Sequence, residues 1–144
     1  MNEKDKKRIA EIMEQHGVIV GYLFGSALRG TMGPHSDIDV GVLFGEDAFG
    51  QDNFNKRMKL SFDITRELGV VDTDVIDLKT ARGPLIKYQA IFGGELILDV
   101  DSDARFALER MIVREYEDTK ELRRIRDNVL RQELKDGSFG KLPV

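Results

Sequence analysis

A glycine–serine pair, Gly25-Ser26, is followed after ten intervening residues by Asp37-Ile38-Asp39. Gly25 has no Cβ, so the chain there can turn sharply and come close to a ligand. Ser26 stands where a short helix, Ala27 to Arg29, would begin. Unpaired backbone N–H groups at a helix start, beside a hydroxyl, suit a phosphate. Asp37 and Asp39 alternate along an extended segment, so both carboxylates leave one face, roughly 7 Å apart or less. Like charges that close repel unless cations lie between them. Oxygen-only donors select a hard cation, and magnesium shared with substrate phosphates is the common solution. One pair of acids can serve two such ions.

A third carboxylate would complete the arrangement. The segment Asp72-Thr73-Asp74-Val75-Ile76-Asp77-Leu78 offers three. Asp72 and Asp74 share a face with Ile76, and Asp77 lies on the other. Acids are costly in a strand interior unless paired or metal-bound. Asp74 is the more central of the same-face pair and is preferred, with Asp72 left open. A lone Asp-x-Asp is better explained as a surface strand or turn. The combination of glycine–serine, paired acids and a further acid on another strand carries the chemical reading.

The elements that must hold these residues alternate along the chain. Lys4 to about Gln15 reads as a helix with Ile9, Ile12 and Met13 on one face, ended by Gly17. Val18 to Phe24 is a near-continuous apolar run and reads as a buried strand. Gly30 to Ser36 reads as a loop, and Asp37 to Leu43 as a second strand. A loop from Gly45 to Gln51 leads to a helix from about Phe54 to Leu68. A third strand covers Asp72 to Leu78, a short helix Pro84 to Phe92, and a fourth strand Glu95 to Val100. Asp101 or Ser102 then caps one long helix reaching roughly Leu134. Such alternation in a single sheet-sized chain predicts an α/β (α+β) fold, a small mixed sheet flanked by helices with a long C-terminal helix. The expected division is a core over residues 1–100, the helix over 101–136 and a mobile tail over 137–144, one domain overall.

At 144 residues the chain can bury a substantial core, and a net charge of −4 disfavours a surface built mainly to grip nucleic-acid phosphates. No apolar run approaches the roughly 20 residues that span a bilayer. The absence of cysteine excludes thiolate catalysis and Cys-type zinc sites. With no apolar signal core behind the charged N-terminus, the cytoplasm is the expected compartment.

Gly25-Ser26, the ten residues after it and Asp37-Ile38-Asp39 resemble the signature of the DNA polymerase β-like nucleotidyltransferase superfamily. Arg29-Gly30 and the stretch from Asp74 to Ala81 resemble its smallest branch, the MNT domain of MntA type, and the resemblance runs from about Val18 to Val100. It implies the polymerase β-like fold, two magnesium ions, ATP as substrate and transfer of AMP. Carried over, Gly25 and Ser26 would hold the triphosphate, with Arg29 and Ser36 beside it. Asp37 and Asp39 would bind metal. Asp74 would complete the metal site and favour deprotonation of the acceptor. The MntA likeness further implies an antitoxin in a hetero-oligomer with a HEPN ribonuclease toxin, neutralising it by attaching AMP to a tyrosine. Two alternatives are a transferase acting on a small-molecule hydroxyl and an antitoxin that inhibits by binding alone.

Other residues carry less. His35 reads as a loop histidine and His16 as a helix C-terminal residue favoured by the dipole. Tyr22, Tyr88 and Tyr116 read as packing residues. In the last helix Leu108, Met111 and Ile112 suit packing on the sheet. Beyond Tyr116 the apolar positions thin to Leu122, Ile125, Val129 and Leu130 among arginines. That narrow stripe fits either docking to another helix or a solvated face.

Overall fold

The computed structural model describes residues 1–25, 37–45, 53–81 and 83–136. Ser26, Arg29, His35 and Ser36, the short helix at 27–29, most of both loops and the tail at 137–144 lie outside these described residues. Among the described residues nine elements follow in order: α1 (Glu3–Gln15), β1 (Val18–Phe24), β2 (Ile38–Phe44), α2 (Asn53–Leu68), β3 (Thr73–Asp77), α3 (Pro84–Phe92), β4 (Glu95–Asp99), α4 (Ser102–Asp118) and α5 (Lys120–Asp136). The strands make one mixed sheet in the order β3-β2-β1-β4. β1 pairs antiparallel with β2 and β4, and β2 pairs parallel with β3. α2 supplies the crossover that a parallel pair requires.

Apolar side chains leave the sheet on both faces, which is why β1 and β2 read as near-continuous apolar runs rather than clean alternations. On one face Ile38, Val40 and Val42 meet Ile9, Ile12 and Met13 of α1 and Leu60 and Ile64 of α2. On the other, Val20, Tyr22 and Leu43 meet Ala90 and Ile91 of α3 and Leu108 and Ile112 of α4. Met111 packs beside them.

Helix boundaries have local causes. The Asn2 side chain accepts the Asp5 N–H and opens α1, while Pro84 sits at the start of α3. The Asp101 carboxylate accepts the Ala104 N–H at the head of α4.

The expected single C-terminal helix is two helices. Thr119 intervenes, its N–H and its hydroxyl both donating to the Tyr116 carbonyl. A side-chain hydroxyl that takes a carbonyl from the helical ladder loosens the turn there. α5 restarts at Lys120, and Arg123 donates its N–H to the Thr119 carbonyl. Among the described residues no helix is long and apolar enough to cross a membrane.

Candidate functional site

Register brings Phe24, Asp39 and Asp74 side by side across β1, β2 and β3. Register partners point to the same side of a sheet, so the two carboxylates leave it together. That side is the one on which Phe24, Leu43 and Leu78 pack against α3 and α4. Ile38 and Val40, flanking Asp39, are fully buried on the opposite face. A one-residue slip of β2 would exchange them with the acid, so apolar burial itself sets where Asp39 points. Asp39 is half-buried and Asp74 exposed.

Gly25 follows β1 directly and adopts φ +79°, a left-handed conformation that favours glycine. A Cβ on that residue would overlap the Asp39 carboxylate. The chain therefore leaves β1 pressed against the acid of β2.

The remaining acids separate by role. Asp37 is exposed in the residue ahead of β2 rather than within the strand. The Asp72 carboxylate accepts the Thr73 N–H at 2.8 Å, and its carbonyl accepts the Ile38 N–H at 3.0 Å, where β2–β3 pairing begins. Asp77 is buried on the other face. One of its oxygens accepts the Lys79 N–H at 3.0 Å, and the other accepts from Asn53 at 2.7 Å. It ties the turn after β3 to the head of α2. Ser61 and Thr65 hold the start of β3 from α2: the Ser61 hydroxyl donates to the Thr73 carbonyl at 2.5 Å, and the Thr65 and Thr73 hydroxyls lie 2.9 Å apart.

The donor set is oxygen-only, and the Asp39–Asp74 pair beside Gly25 fits a hard divalent cation in kind and in facing. Among the described residues no three His, Cys, Asp or Glu side chains gather closely enough to hold a metal ion together. The structure brings Asp39, Asp74 and Gly25 together and leaves Asp37 exposed just ahead of β2. Ser26, Arg29 and Ser36 lie outside the described residues.

Long-range polar ties brace this face, and neither composition nor spacing signalled them. The Tyr22 hydroxyl of β1 donates to Glu109 of α4 at 2.6 Å. Arg105 bridges Glu109 and Asp99 at 3.2 and 2.8 Å. Burial, then the Glu109 carboxylate, pushes the Tyr22 hydroxyl well above its ordinary value. Lys87 of α3 is 3% exposed, with its ammonium 2.5 Å from Glu115 of α4. Tyr88 stacks on Tyr116 with ring centres 4.0 Å apart, and the Arg123 guanidinium lies 3.8 Å from the Tyr116 ring centre. His16 closes α1 and meets Asp63 of α2 at 2.6 Å, a tie beyond the dipole effect expected of it.

A search of curated proteins returned no match. Solved structures with this fold include a toxin–antitoxin with AMP-PNP, at 26% identity and TM-score 0.70, covering 90% of this chain and 99% of the other. An MntA–HepT toxin–antitoxin matches at 21% identity and TM-score 0.68 with the same coverage. So does a tri-AMPylated HEPN toxin from Shewanella oneidensis in complex with an MNT antitoxin, at 22% identity and TM-score 0.68. The family model described as polymerase beta, nucleotidyltransferase matches residues 7–103, most of the chain and every strand of the sheet. The chain belongs to the polymerase β nucleotidyltransferase family.

Proposed function

We propose that the protein is an antitoxin-type adenylyltransferase that moves AMP from ATP to a tyrosine hydroxyl of a HEPN ribonuclease toxin. The observation that carries this reading is the Asp39–Asp74 register pair beside the left-handed turn at Gly25. Family membership supports nucleotidyl transfer. The toxin–antitoxin neighbours, one with AMP-PNP and one with an AMPylated toxin, support the nucleotide and the acceptor class.

In this reading Gly25 and Ser26, with Arg29 and Ser36 beside them, bind the triphosphate, and Asp37, Asp39 and Asp74 hold magnesium. Bound divalent cations would neutralise phosphate charge and make the attacking hydroxyl more acidic. The tyrosine oxygen forms a bond to the α-phosphorus, the bond from that phosphorus to the bridging oxygen breaks, and pyrophosphate leaves. The hydroxyl proton passes to the exposed Asp74 carboxylate. Residues 1–100 do this chemistry, and the segment 101–136 packs on that core through α4. An added AMP would put bulk and negative charge beside a site that must admit RNA, which blocks it.

The test mixes purified protein, α-labelled ATP, magnesium and the toxin encoded beside it. Label and AMP mass increments should appear on a toxin tyrosine and vanish with Asp39→Asn. A toxin that is neutralised equally by the Asp39→Asn protein and never labelled would overturn the reading in favour of inhibition by contact. Label on small hydroxyl compounds alone would do the same in favour of a small-molecule acceptor.

A further inference from the structure

α5 is amphipathic, and its apolar residues stand exposed. None of its described side chains is buried, and Leu122, Ile125, Val129, Leu130 and Leu134 are 40–68% exposed. Its anchorage lies at its start, where Arg123 stacks on Tyr116 and donates to the Tyr116 carbonyl and the Thr119 hydroxyl. Beyond that point the apolar face needs a partner to leave water.

The pattern on the face says which partner. Leu122, Arg126, Val129 and Glu133 fall at i, i+4, i+7 and i+11, the spacing of one seam along a helix. Ile125 and Leu130 flank it. Two opposite charges thus stand in an otherwise apolar seam, two turns apart, on either side of the point between Val129 and Leu130. A second copy of the seam laid antiparallel about that point sets Arg126 against Glu133 twice and brings Val129 and Leu130 of both copies together at the centre. A parallel copy would set arginine against arginine and glutamate against glutamate, which is unfavourable at close range.

We infer that α5 is a self-association helix, pairing antiparallel with α5 of a second copy about a two-fold axis between Val129 and Leu130. An isologous contact of this kind uses one patch twice. The helix is about 25 Å long, so the paired surface is at the small end of specific interfaces and the dimer is reversible. This arrangement does not depend on the catalytic reading.

Sedimentation velocity of the full chain across a concentration series tests it. The wild type should move from monomer to dimer. R126E and E133R should each weaken the dimer by about tenfold or more, and the double variant R126E/E133R should restore it. The chain has no cysteine, so Val129→Cys supplies one thiol beside the axis, which should give a covalent dimer on mild oxidation. A chain that stays monomeric to about 100 µM, single variants that dimerise like wild type, or a double variant that remains as weak as the singles would each overturn the proposal. Circular dichroism on every variant separates lost pairing from lost helix. AMP transfer by the same variants reports on the catalytic reading independently.

Discussion

Asp39 is held by two independent constraints: apolar neighbours on its own strand and the glycine turn that presses on it. Asp39→Asn should therefore remove transfer with little loss of fold. The expected fall in rate is on the order of 10³-fold, several kcal/mol of charge stabilisation, measured as label transferred per minute. Asp74→Asn should approach that loss, whereas Asp72→Asn, whose carboxylate serves a local N–H, should keep most activity. Equal losses from both would return Asp72 to the site. Gly25→Ala combines a disfavoured φ with an overlap against Asp39. It should cost about 1–3 kcal/mol in denaturant titrations and lower activity beyond what that instability explains. Tyr22 adds a pH signature. Burial and Glu109 raise its hydroxyl above the ordinary value of 10.0. The associated stability is complete below about pH 10 and is lost as pH climbs above it toward the raised folded value. Tyr22→Phe should be about 1–2 kcal/mol less stable at pH 7 and should lose less stability on going alkaline.

At the scale of elements, α3 and α4 cover the face that bears the acids, and a buried charge joins them. Lys87 is 3% exposed and Glu115 is 38% exposed, so the partners are not equivalent. Glu115→Gln strands an almost fully buried ammonium and should cost about 2–4 kcal/mol. Lys87→Met fills the space and leaves a carboxylate that water can reach, so thermal melts should show the smaller loss. Most element boundaries were legible because their causes are local: apolar period, the cap of α4, the proline of α3. The break at Thr119 was not. The sequence from Ser102 to Leu134 has no glycine or proline, and the interruption arises from a threonine hydroxyl and an arginine that reaches back onto Tyr116.

Across the whole molecule, the sheet and four helices form a core to which α5 adds no buried side chain among the described residues. Removing residues 120–144 should leave a folded protein whose Tm falls by no more than about 5 °C, checked by calorimetry, while self-association disappears. The candidates for chemistry come from order and spacing alone: a glycine–serine pair, two acids in alternation, and a further acid on a later strand. Periodicity of two and of 3.6 depends only on neighbours in the chain, so the strand and helix content and the facing of Asp39 relative to Ile38 and Val40 could be read without coordinates. Tertiary structure alone decided that Asp74, rather than Asp72, stands in register with Asp39, because register depends on how two strands slide until both apolar sets are buried. It alone decided which distant residues meet, as Tyr22 with Glu109 and Lys87 with Glu115, since such contacts follow from packing across the fold and leave no periodic trace in the chain.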